Sequence, residues 1–288
     1  MRKTLIAVTA TVTLAAISAP SVLFAADAAP AAPASPHTFT GNVAVVSNYV
    51  YRGISQTAAK PALQGGFDYA HSSGFYLGTW GSNVNWVADN NWSAASAASN
   101  SLEMDFYGGF KGVIKGDLGF DLGVLTYVYP GTNTDVGGTF IKPDSTEIYG
   151  ALTYKWLSAK YSHSTTSLFG WNKFGGTVSD KTNGSGYLDL TATFDLGNGW
   201  GISGHFGHQK IKNHKPASYS DVKLGITKDT GVGVIGLAVT GTNSKGDCNG
   251  NAAKTADDVY CWGAVAGSGK KAYDAGKSAA VLSFSKSF

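Results

Sequence analysis

From about residue 38 onward the chain runs in segments of roughly ten residues whose hydrophobicity alternates with a period of two. Leu188, Leu190, Ala192, Phe194 and Leu196 fall on one face, and Asp189, Thr191, Thr193 and Asp195 on the other. A helix would smear these residues around its circumference, whereas a strand sorts them cleanly. About twelve such segments are read, near 38–52, 61–71, 74–86, 101–112, 117–129, 145–155, 157–166, 186–196, 199–209, 219–228, 232–242 and 279–288. Their connections alternate in length. Short ones at His71–Gly74, Lys115–Asp117, Lys155–Ser158, Leu196–Gly199 and Lys228–Gly231 are interleaved with longer ones such as Ala88–Asn100, Pro130–Asp144, Ser167–Ser185 and Asn243–Ser278. The fold class this predicts is all-β. It is a transmembrane antiparallel up-and-down β-barrel of about 12 strands, with short periplasmic turns and long extracellular loops. A soluble β-sandwich could show the same alternation but not the strict order of short and long connections.

The ends of the chain fit that reading. Arg2 and Lys3 precede an apolar run from Leu5 to Ala19, and small residues follow at Ala25, Ala26 and Ala28, so residues 1–26 are expected to be a cleaved signal peptide. An uncleaved anchor is the alternative, but Pro20 interrupts the run and no long apolar stretch follows. Residues 27–37 form a Pro/Ala linker expected to be disordered, which leaves 38–288 for the barrel. At the other end Ala280, Leu282, Phe284 and the terminal Phe288 share one face. That pattern resembles the signal read by the outer-membrane assembly machinery.

Composition bounds the function classes. Removing residues 1–26 takes two of the 22 basic residues and leaves 20 against 19 acidic ones, which gives nucleic acid no basic footprint to bind. Cys248 and Cys261 are the only cysteines, and in an oxidising compartment they are expected to form a disulfide closing a short loop. Asp247, Asp257 and Asp258 lie nearby without the spacing of a calcium loop, and no metal or cofactor is expected. Catalysis has little support. There is no G-x-S-x-G or H-E-x-x-H, and His163 and Ser164 face opposite ways by parity, as do His205 and His208.

Several stretches resemble the TorF family of proteobacterial porins. They are Gly41–Val43, Ser47–Tyr49, Arg52–Thr57, Pro61–Tyr69, Ser73–Tyr76, Trp80, Ser82–Val84, Glu103–Asp105, Tyr107–Gly109 and Gly197–Trp200. The likeness is densest over 41–110. Asn48 departs from it where an aspartate is expected, at a lumen position. The resemblance implies an outer-membrane barrel and names no solute.

If the apolar faces meet lipid, then Arg52, Gln64, Asp68, Glu103, Asp105, Glu147, Lys155, Lys160, Asp189, Thr191, Asp221 and Lys223 point into the lumen. Strand direction puts Glu103, Asp105, Glu147, Asp189 and Asp221 near the outer mouth, and Lys155 and Lys160 toward the periplasm. Arg52, at the top of the first strand, is expected to pair with Glu103 or Asp105. Tyr49, Tyr51, Tyr154, Trp156, Trp200 and Phe288 are read as interfacial aromatics, while parity leaves the side of Trp80 open. The function expected is a pore for small polar solutes or ions with a mild cation preference. The rival reading is a closed barrel acting through its outer loops; the oligomeric state is not written in the sequence.

Overall fold

Strands of eight to fourteen residues suffice to cross a hydrocarbon layer when tilted, and the period-two segments fold as such strands. The computed structural model describes residues 35–89, 100–131, 143–171, 181–263 and 271–288. The expected signal peptide and most of the linker lie outside these residues. The strands are β1 (His37–Val46), β2 (Ala62–His71), β3 (Phe75–Asn83), β4 (Leu102–Lys115), β5 (Leu118–Val128) and β6 (Ser145–Tyr154). They continue as β7 (Leu157–Ser164), β8 (Gly186–Gly197), β9 (Trp200–Lys210), β10 (Tyr219–Asp229), β11 (Val234–Thr242) and β12 (Ala279–Ser287). Each strand pairs antiparallel with its sequence neighbour, and β1 pairs with β12, so the sheet closes as a 12-stranded barrel. Phe288 finishes the seam: its backbone exchanges two hydrogen bonds with Gly41, at 2.8 and 2.9 Å, and its ring lies over the Gly41 Cα.

The short connections are all at one end, called here the turn end, and the long ones at the other, the loop end. The outer wall is apolar from strand to strand. Phe67, Phe106, Leu152, Leu224, Val239 and Leu282 all point outward and are exposed. A water-soluble protein rarely exposes a continuous apolar band, whereas a bilayer-spanning barrel requires one. Tyr154, Trp156, Trp200 and Phe288 are exposed at the turn end, as interfacial rings would be.

The first strand corrects the expectation. It ends at Val46 rather than near residue 52, and the chain then turns into the barrel. Tyr49 and Tyr51, read as interfacial rings, are therefore lumen residues, with Tyr49 buried and Tyr51 half-buried. Trp80, whose side parity left open, points inward and meets Tyr49 edge-on at 5.5 Å.

Over the loop end, the connection between β11 and β12 carries the Cys248–Cys261 disulfide, which spans 13 positions. The acidic residues beside it have other partners. Asp257 pairs with Lys245 at 2.9 Å, and Asp258 accepts the amide and hydroxyl of Thr255, which hold its carboxyl below the usual range. The same connection docks on the barrel mouth through Tyr260 Oη to the Ala217 carbonyl (2.7 Å) and Gly263 N to the Asp89 carbonyl (2.8 Å). Removing the disulfide by Cys248→Ser is expected to loosen this cover by about 3 kcal/mol while leaving the barrel intact. Hydrogen exchange should then rise in 243–263 and 271–278 but not in the strands; equal exchange in both proteins would contradict it.

Candidate functional site

The residues between β1 and β2 form the centre of the lumen. Val50–Tyr51 and Ile54–Ser55 pair as a miniature hairpin, joined by Arg52 and Gly53 at φ 46° and 79°. A two-residue hairpin turn of this hand needs positive φ at both positions, which glycine adopts freely and arginine only with strain. Asn48 anchors the base, its Oδ1 accepting from Ser55 Oγ (2.7 Å) and Thr57 Oγ1 (3.3 Å).

Arg52 does not pair with Glu103 or Asp105, as the sequence led us to expect. Because the chain leaves the wall at Val46, the guanidinium reaches across the lumen and forks onto Glu147, with N–O distances of 3.0 and 2.8 Å. It also donates to Gln209 Oε1 at 2.9 Å and stacks on the Tyr187 ring at 4.2 Å. Tyr51 meets Tyr127 hydroxyl to hydroxyl, and Tyr127 donates to Glu147 at 3.1 Å. Glu103 accepts from Tyr49 (2.7 Å) and Tyr129 (2.8 Å). Asp105 is buried, and among the described residues neither of its oxygens has a hydrogen-bond partner. Around this layer Trp86, Leu168, Tyr219, Tyr260 and Trp262 pack into one cluster that fills the loop end of the lumen.

Toward the turn end the lumen opens. Along β8 the inward side chains pass from buried Tyr187 through half-buried Asp189 and Thr191 to exposed Thr193 and Asp195. The resulting cavity of about 170 Å³ runs from Tyr51 and Arg52 down to Gly201 and Thr227. A second cavity of about 40 Å³ lies beyond the same two residues, among Trp86, Phe169, Tyr260 and Trp262. Tyr51 and Arg52 line both.

The open cavity has a polar hub that sequence reasoning missed. His205 presents Nε2 to Asp221 Oδ2 at 3.0 Å and Nδ1 to Asp189 Oδ1 at 3.3 Å. Tyr187 donates to Asp221 (2.9 Å) and Thr191 to Asp189 (2.7 Å). The signal was present: parity places His205 on the same face as its cross-strand partners Thr191 and Lys223. Tyr187 can reach Asp221 because Gly207 lies between them. A methyl group there would overlap Tyr187 Oη and stand 2.5 Å from Asp221 Oδ1. Gly207→Ala is therefore expected to lower barrel stability by about 1–3 kcal/mol. At Gly204 the nearest neighbour of an added Cβ is Leu224 Cδ2 at 3.6 Å, so Gly204→Ala should be nearly neutral. Thermal midpoints of the heat-modifiable gel band would compare the two, and equal shifts would contradict the assignment.

The remaining expected positions divide. Asp68 faces inward and accepts from Tyr107 Oη at 2.6 Å, and Gln64 is buried on β2. Lys155 is not a lumen residue: it occupies the β6–β7 turn at φ 53°, exposed, with its ammonium over the Tyr154 ring. Lys160 is not at the turn end either. It is level with Asp189 in the register and lies 3.7 Å from the Tyr149 ring centroid, because β7 is staggered against β8: Leu157 pairs with Ala192, five residues short of the end of β8 at Gly197.

A model of the family described as "Bacterial protein of unknown function (Gcw_chp)" matches residues 30–288. The chain belongs to the Gcw_chp family. No curated protein matches it. Among solved structures this Gcw_chp protein is similar to the KdgM porin, at 6% identity and a TM-score of 0.46, covering 87% of this chain and 98% of that one. It is also similar to the NanC porin, at 8% identity and 0.46, covering 86% and 98%. Pseudomonas aeruginosa OprD is a third, at 10% identity and 0.36, covering 88% and 66%.

Proposed function

We propose that the protein is a porin-like channel of the bacterial outer membrane, passing small polar solutes and opening when the segment 47–61 is displaced from the lumen. The observation that supports this most directly is the depth of the open cavity. Solvent-facing side chains line the barrel from the turn end to Tyr51 and Arg52, and a second cavity begins on the far side of that pair. A barrel filled for stability alone has no need of an inner wall set with Asp189, His205, Asp221 and Lys223, since buried polar clusters add little net stability. The apolar outer wall and the resemblance to the TorF porins support the location, with the turn end toward the periplasm. The cation preference read from the sequence requires Glu103, Asp105 and Glu147 to face an open route, whereas in this closed arrangement they belong to the seal.

The packed loop end favours a second reading, a closed barrel that acts through its outer connections. Single-channel recording of the refolded protein in a planar bilayer separates the two. Discrete conductance steps, rare and small as befits a mostly closed lumen, are expected from the channel. A protein that keeps heat-modifiable barrel mobility yet stays silent at every voltage would support the closed barrel.

A further inference from the structure

We infer that the open cavity is a binding site for a small organic anion, held by Lys160 and Lys223 beside an apolar patch of the lumen wall. This names the solute class for the passage proposed above and rests on that reading for its biological role, though not for its chemistry.

The charges of the cavity are mostly spoken for. Arg52 is committed to Glu147 through two hydrogen bonds. Asp189 and Asp221 are both turned onto His205, at 3.3 and 3.0 Å from its two ring nitrogens. Two cations are left. Among the described residues no carboxylate lies within ion-pair distance of Lys160 or Lys223, and Lys160 rests only on the π face of Tyr149. Both ammonium groups reach the cavity, and they stand on β7 and β10, flanking the Asp189–His205–Asp221 hub. Asp189 lies near both ammonium groups without coming within ion-pair distance of either, so an anion that enters can contact them directly, and the low-dielectric wall strengthens that attraction.

An apolar patch of the lumen wall sets the rest of the ligand. Val46 on β1, Val281 on β12 and Ala238 on β11 are adjacent inward positions and form an apolar patch facing the same cavity. In the ring of 12 strands β1 lies six places from β7, so the patch faces Lys160 across the lumen, while Lys223 on β10 stands beside it, next to β11. An inorganic ion would leave this patch against water. A carboxylate on a short apolar body meets both the lysines and the patch, and a volume near 170 Å³ suits a body about the size of a benzene ring.

Benzoate is a suitable test compound, with benzyl alcohol and benzylammonium as neutral and cationic counterparts of similar shape. Ligand-observed NMR on the full chain in lipid nanodiscs, with empty nanodiscs as reference, should show saturable benzoate binding that neither counterpart displaces. The variant Lys160→Gln/Lys223→Gln should weaken that binding at least about tenfold, while Lys245→Gln, a loop lysine paired with Asp257, leaves it unchanged. Equal binding of all three compounds to the wild type, no saturable binding, or binding of phosphate in preference to benzoate would each overturn the inference without any variant. The same holds if the double variant keeps its heat-modifiable mobility and wild-type affinity. Because the cavity opens at the turn end, binding is read whether or not the protein conducts, so silence in a bilayer would undo the channel and not the anion site.

Discussion

Arg52→Ala is expected to destabilise the barrel by about 3–5 kcal/mol, the range for removing one partner from a buried ion pair. The guanidinium is 6% exposed and the Glu147 carboxylate 1%, so solvent cannot replace the lost donors. Without Arg52, Glu147 keeps among the described residues only the Tyr127 hydroxyl, and Tyr187 loses the cation stacked on its ring. The alanine would relieve little backbone strain, since φ remains positive for a residue with a Cβ. Lysine in place of arginine should recover only part of the loss. A single ammonium cannot make the forked pair of bonds that holds both Glu147 oxygens. The decisive comparison is Arg52→Met with Glu147→Leu, which removes both charges together. Replacing a buried pair by apolar side chains is commonly near neutral, so this double variant should unfold in urea close to wild type and far above Arg52→Ala. If the single and double variants lost the same stability, the pair would not be what holds the segment in the lumen.

The barrel itself was legible because lipid on one side and a polar interior on the other impose period two on every strand. The strands found between residues 62 and 287 begin and end within about three residues of the expected ones. Parity also sorted Glu103, Asp105, Glu147, Asp189 and Asp221 onto the inner face, since that assignment needs only the alternation. What the alternation cannot carry is what happens where the chain leaves the wall. The expected first strand, 38–52, was longer than the 9–11 residues a crossing needs, and that excess was the signal for the insertion. Val50–Tyr51 reads like a strand because it is one, in a hairpin standing inside the lumen rather than in the barrel wall. The partner of Arg52 was illegible for the same reason. A side chain on an inserted hairpin answers to positions across the lumen, and no spacing along the sequence encodes which. Depth failed at Lys155 through a local fact, a left-handed turn residue, that two-state parity does not contain.

Replacing residues 48–60 by a short Asn-Gly turn should convert the protein from a mostly closed barrel into an open one. The substitution is feasible because Val46 and Ala62 are already cross-strand partners at the mouth, so a tight turn can join β1 to β2 without moving either. It removes Tyr49, Tyr51 and Arg52 together, and with them the layer that divides the two cavities. Conductance should then rise by about an order of magnitude, toward a lumen between that of a side-chain-filled eight-stranded barrel and a 16-stranded aqueous one. The outer connections would still place Trp86, Tyr260 and Trp262 over the mouth, but these would have lost the Gln56 backbone that ties Trp86 down at 3.1 Å. Glu103 and Glu147 would face water in the same variant, because their partners Tyr49 and Arg52 are gone. The reversal potential in a salt gradient should therefore move toward cation selectivity relative to the wild type. An unchanged conductance in a barrel that still runs as a folded species would place the seal in the outer connections, and would leave the inserted hairpin a structural brace.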